Sequence, residues 1–141
     1  MARPVIVCGG TTAVGEVVIA GLKPEFDVIH FVMSAETGAQ QIPEILNGGK
    51  SPASDSALGS RDYSRPPVAI ILGSAFTDTM ADTIMRASMG IRALPWLRPD
   101  TTKPHPPIGP EYGRALVVRI KALLAKLEEE GKMEEEKVHW Y

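Results

Sequence analysis

The run Pro4-Val5-Ile6-Val7-Cys8, closed at once by Gly9-Gly10, constrains the fold more than any other feature of this chain. It is continuously apolar and rich in β-branched residues, so it leaves no polar side to face water. A strand of that kind is buried on both faces, and both faces are covered mainly in parallel sheets. Parallel neighbours must be joined by crossovers, usually helical.

The rest of the chain supplies those crossovers. Residues 13–22 carry Val14, Val17, Val18 and Leu22 on a helical stripe, stopped by Lys23-Pro24. Residues 26–33 read as a second apolar strand, and residues 40–46 as a short helix with Pro43 in its first turn. Residues 67–72 form a third buried strand ended by Gly73-Ser74, and Thr77 or Asp78 caps a helix running to Met89. Gly90 stops that helix, and residues 91–96 make a fourth strand, which lies at an edge or ends at Pro95, because Pro95 cannot donate to a ladder. Gly109-Pro110-Glu111 opens the last helix, whose Leu116, Val117, Ile120, Leu123, Leu124 and Leu127 give the strongest periodicity in the chain. Met80, Met85 and Met89 are expected in the core, and Cys8 is expected as an inert core thiol.

Two stretches fall outside this alternation. Residues 48–66 turn to Ser, Asp, Gly, Arg and Pro, which predicts a flexible exposed loop whose Lys50, Arg61 and Arg65 could fold over an anion. Residues 132–141 read as a charged C-terminal tail ending in Trp140-Tyr141. One domain over residues 1–131 is therefore expected, of class α/β. It is a compact three-layer sandwich with a four-stranded parallel sheet of order 2-1-3-4 and helices on both faces. Ligands in such sheets bind where the strand order reverses, outside the carboxyl ends of the strands. Gly9-Gly10 and Gly73-Ser74 are the turns that meet there.

Composition removes several function classes. A formal net charge of −2 gives no positive field for nucleic acid or an anionic membrane. The single cysteine excludes a disulfide framework, and His30, His105 and His139 lack the spacing of metal ligands. The first apolar run is too short for a signal peptide, and no stretch approaches a membrane span, so a cytoplasmic or nuclear protein is expected.

The segment Gly9-Gly10-Thr11-Thr12-Ala13-Val14-Gly15 carries the functional argument. It lies between a strand and a helix, where backbone N–H groups and the helix dipole together favour a phosphate. Gly9 and Gly15 stand at the first and last glycines of a dinucleotide fingerprint, with Thr12 in the middle position where glycine is usual. Tight packing between strand and helix is the alternative role for these glycines.

With residues 68–73 and 87–95, this opening resembles the N-terminal half of the NmrA-like proteins. They are a branch of the atypical short-chain dehydrogenase/reductase superfamily with a Rossmann-like fold that binds NAD(P). About two-thirds of the chain follows the pattern. One strand between the second and third is replaced by the loop 48–66, and the substrate-binding part is missing. The resemblance implies a dinucleotide pocket more than a reaction. Catalytic members place a lysine four residues after a tyrosine, but Pro67 follows Tyr63 and Leu116 follows Tyr112 at that distance, and Lys121 is too far along the helix.

An acid ~20 residues beyond the glycines would favour NAD. Glu36 is near that place, whereas Ser34, closer to the strand end, could admit the 2′-phosphate of NADP. The choice between the two stays open. Thr101, Thr102 and His105 could border the nicotinamide end, with solvation of the proline-rich loop the favoured role for all three. The expected function is a non-catalytic, NAD(P)-binding redox sensor or regulatory module, with a regulatory protein partner. The apolar stripe of the last helix and Trp140-Tyr141 suggest a homodimer. The rivals are a small oxidoreductase completed by dimerisation and an interaction protein on a vestigial Rossmann scaffold.

Overall fold

The computed structural model describes residues 2–49, 53–54 and 56–141. Strands β1 (Arg3–Cys8), β2 (Phe26–Val32), β3 (Ile70–Leu72), β4 (Trp96–Arg98) and β5 (Val138–Trp140) alternate with helices α1 (Thr12–Leu22), α2 (Ala35–Leu46), α3 (Asp78–Ser88) and α4 (Pro110–Glu129). The strands pair in parallel, in the order 2-1-3-4-5.

Side-chain alternation along β1 divides the core. Val5 and Val7 face α1 and α4, packing with Val18, Leu22, Leu116 and Ile120. Ile6 and Cys8 face α2 and α3, packing with Ile42, Ile45 and Ile84. The α/β class, the parallel sheet and the helices on both faces agree with the sequence.

The strand count does not. The sheet has five strands, because residues 138–140 pair with β4 through Trp96↔Val138, Leu97↔His139 and Arg98↔Trp140. A three-residue strand behind a charged run gives no periodic signal, and its anchor is the residue that follows it. The Tyr141 N–H donates to the Arg98 carbonyl at 2.9 Å, and its phenol donates to the Leu72 carbonyl at 2.7 Å. Tyr141 is therefore buried, and only Trp140 adds exposed aromatic surface.

The added strand makes β4 an interior strand rather than an edge. Pro95 precedes β4, and its carbonyl accepts the Ile70 N–H at 3.1 Å. Helix α2 starts five residues earlier than 40, at Ala35, because the Ser34 hydroxyl accepts the Thr37 N–H at 3.1 Å and Glu36 lies in the first turn. Pro43 consequently falls inside the helix, not in its first turn. Met80 and Met85 pack against the core as expected, whereas Met89 is exposed.

Within 48–66, residues 56–61 are docked along the outer side of β2, while Gly48 and Gly49 close the end of α2. Ser60 and Arg61 N–H groups donate to the carbonyls of Val28 and Ile29 at 2.9 and 3.0 Å. Gly59, at φ 92°, comes so close that a Cβ there would sit 2.9 Å from the Val28 carbonyl oxygen. This segment takes up hydrogen-bonding groups that an edge strand would otherwise present.

Candidate functional site

The turns after β1 and β3 meet at the reversal point of the strand order. The Gly73 N–H donates to the Cys8 carbonyl at 2.8 Å, and the Gly9 N–H to the Val32 carbonyl at 2.9 Å. Each turn thus extends the ladder one step beyond its strand. Gly10 then passes Ala75 so closely that a Cβ on Gly10 would lie 2.8 Å from Ala75 Cβ.

Thr11 is the N-cap of α1, its hydroxyl accepting the Val14 N–H at 3.3 Å. The Thr11 carbonyl accepts the Gly15 N–H at 3.2 Å. Val14 and Gly15 are therefore committed within the helix start. Thr12 and Ala13, both exposed, have N–H groups that no intrahelical carbonyl can reach, and these face outward at the positive end of the helix.

Gly9 and Gly15 have a structural task. A Cβ on Gly15 would lie 2.7 Å from Phe31 Cζ and 3.1 Å from Leu58 Cδ1, and one on Gly9 would lie 3.0 Å from Phe31 Cζ. The glycines let the ring of Phe31, projecting from β2, pack beneath the turn.

Below the turn, between the sheet and helices α1 and α4, is a cavity of about 100 Å³. Val7, Val14, Val18, Phe31, Ile71, Leu116 and Ile120 form much of its wall, and none of its described lining side chains is charged. Its rim holds Gly10, Ser74, Ala75 and Ile108. Tyr112, on the same helical stripe as Leu116 and Ile120, donates its hydroxyl to Ser74 Oγ at 2.6 Å. That i, i+4 spacing was the sequence signal that Tyr112 belongs to the wall. Phe31 and Tyr141 carry no such signal, since one needs the strand pairing and the other the fifth strand.

Ser74 also borders a second, open cleft of about 700 Å³ at the ends of β3, β4 and β5, where Thr101 and Thr102 lie. Its charged side chains are Arg98, Asp78 and Asp100, and Arg98 pairs with Asp78 at 2.8 Å and stacks 5.0 Å from the Trp140 ring centroid. His105 packs edge-on against Tyr112 with ring centroids 5.3 Å apart.

The other expected positions are dispersed. The Ser34 hydroxyl is engaged in capping α2, and Glu36 is exposed in that helix's first turn. Arg65 donates to the Ala2 carbonyl, beside the amino end of β1, and Arg61 lies on the β2 edge. Lys50 lies outside the described residues. Lys121 pairs with Glu25 at 3.1 Å, far from the Tyr112 hydroxyl along the helix. Among the described residues, no group of three His, Cys, Asp or Glu is placed to hold a metal, and no helix is long and apolar enough to cross a membrane.

Fold and site together define an α/β protein with a parallel sheet and an apolar pocket where its strand order reverses. Within that class, the chain belongs to the family of Kojic acid related protein 6 from Aspergillus oryzae. The two are 38% identical over 141 residues, which spans 97% of this chain and 85% of that protein. No family model matches the chain, and no solved structure matches it.

Proposed function

We propose that this protein is a non-catalytic nucleotide-binding module that holds NAD or NADP across the carboxyl ends of the strands, as the NmrA-like resemblance implies. The observation that carries the reading is the outward-facing start of α1, with the Thr12 and Ala13 N–H groups, at the reversal of the strand order. The pyrophosphate would lie over Gly10 to Ala13. Leu116 rather than a lysine stands four residues after Tyr112, which supports binding without hydride transfer.

A redox-sensing or regulatory role, with a protein partner in the cytoplasm or nucleus, belongs to the same proposal. So does a homodimer, for which the half-exposed Trp140 on the last strand offers a surface. Light scattering at tens of micromolar reads the assembly directly, and a monomer mass counts against the dimer.

Calorimetric titration with NAD, NADH, NADP and NADPH tests the central claim. Ala13→Asp places a like charge against the pyrophosphate while suiting a helix N-terminus, so it should weaken binding at least tenfold in a folded protein. Absence of saturable binding to all four nucleotides, or an Ala13→Asp variant that binds as well as the parent, overturns the reading.

A further inference from the structure

We propose that the cavity under the glycine turn is a second binding site, for a small neutral ring compound with one acceptor oxygen, such as a cyclic ketone, held by the Ser74 hydroxyl. Size comes first. A cavity of about 100 Å³ approaches the ~150 Å³ of an engineered apolar cavity that takes up benzene. A ring of six or so heavy atoms is the matching class.

The lining sets polarity. Val18, Phe31, Ile71, Leu116 and Ile120 offer no hydrogen bonds, and a resident water needs roughly two to four polar partners. A charged group placed inside would lose its hydration with nothing to replace it. The occupant is therefore neutral and largely apolar.

The hydroxyls set its one polar atom. The Tyr141 phenol is spent on the Leu72 carbonyl at 2.7 Å, and the Tyr112 phenol donates to Ser74 Oγ at 2.6 Å. A serine hydroxyl has one proton and two acceptor sites, so Ser74 accepts from Tyr112 and keeps its own proton for a ligand at the rim, while the Thr11 hydroxyl, which accepts from the Val14 N–H, is a second donor on the lining. A donor at the rim of an apolar cavity selects a ligand with an acceptor oxygen at one end. This site goes beyond the nucleotide reading and does not need it: the two meet at the Gly10 rim, but the Thr12 and Ala13 N–H groups lie outside the cavity lining.

The test is a titration of the full chain with cyclohexanone and with methylcyclohexane, which has similar shape but no oxygen, followed by methyl NMR. Cyclohexanone should give saturable shifts at Val18, Ile71 and Leu116 and bind the more tightly of the two. Ser74→Ala should weaken cyclohexanone about fivefold and leave methylcyclohexane unchanged. Ser74→Thr, which restores a hydroxyl, should recover most of the loss and guards against a folding artefact. No saturable shift with cyclohexanone, or equal affinity for both probes with Ser74→Ala silent, overturns the proposal. Because neither probe carries phosphate, cyclohexanone binding without nucleotide binding would remove only the dinucleotide reading, and the converse only this one.

Discussion

The ring of Phe31 occupies the space that a side chain on Gly15 would need, its Cζ only 2.7 Å from where that Cβ would stand. Phe31 is 1% exposed and Leu58 closes the other side, so the ring can yield to a Cβ on Gly15 only by moving into the cavity it lines. The glycine that reads as a phosphate residue is also a packing residue, and any change at Gly15 alters both.

Gly15→Ala should therefore destabilise the protein. Overpacking costs about 1–3 kcal/mol, and the gain in helix propensity returns at most about 1 kcal/mol. Shortening the ring with Phe31→Leu should relieve the clash. The double variant should then be less destabilised than the sum of the singles by about 1 kcal/mol in denaturant unfolding. Additivity within about 0.3 kcal/mol would show that Phe31 does not set the requirement for glycine.

A second relationship ties the segment beside β2 to the core. His30 is fully buried, with Nε2 2.8 Å from Gln41 Oε1 and Nδ1 2.7 Å from the Tyr63 hydroxyl. Gln41 Oε1 can only accept, so Nε2 carries the proton and donates to it, and Nδ1 of the neutral ring accepts from the Tyr63 hydroxyl. Tyr63→Phe removes that bond and should cost about 1–2 kcal/mol. It should also lower hydrogen-exchange protection at the Ser60 and Arg61 amides, which bond to the β2 carbonyls. Unchanged protection there would mean that the backbone bonds, not Tyr63, hold the segment in place.

Tyr141 makes stability sensitive to high pH. Burial pushes its phenol far above the ordinary tyrosine value, with neighbouring Tyr112 and Cys8 pushing the same way. In the unfolded chain it titrates near ~10. The folded state therefore favours the protonated form. That contribution is complete below about pH 10 and is lost as pH rises above it. Unfolding free energy should fall from about pH 10 upward, and Tyr141→Phe, which cannot ionise, should flatten that fall. An identical slope in the variant would assign the alkaline loss to other groups.

How much of this was legible follows from where the signal lies. β1, its glycine turn and the stripe of α4 are local patterns, and a continuous apolar run or an i, i+4 repeat survives without knowledge of neighbours. β5 is three residues long and is held by Tyr141, whose hydrogen-bond partners Leu72 and Arg98 are remote in sequence, so no window of sequence could register it. Ser60 and Arg61 dock through backbone N–H groups, which every polar loop also possesses, and composition alone made them resemble a free linker. The start of α2 was available in principle, since Ser34 precedes Ala35-Glu36, but Pro43 drew the expected first turn downstream. The role of Gly15 as a seat for Phe31 needs the pairing of β1 with β2, which orients Phe31 toward the turn.

The two threonines of the turn should separate folding from binding. Thr11 caps α1 through its hydroxyl and takes the Val14 N–H, while the neighbouring Thr12 begins the helix with its side chain exposed. Thr11→Ala removes the cap and should cost about 1 kcal/mol in stability. Thr12→Ala removes a solvent-exposed hydroxyl from a helical position and should change stability by no more than about 0.5 kcal/mol. If a nucleotide phosphate rests on the turn, Thr12→Ala also removes a hydroxyl within its reach. Affinity should then fall by about threefold to tenfold, in keeping with one hydrogen bond to a charged group. Thermal unfolding of both variants, with calorimetry on the folded fraction, reads the two effects separately. Equal stability losses at Thr11 and Thr12 would refute the capping assignment, and a Thr12→Ala variant with parental affinity would move the phosphate away from that side chain.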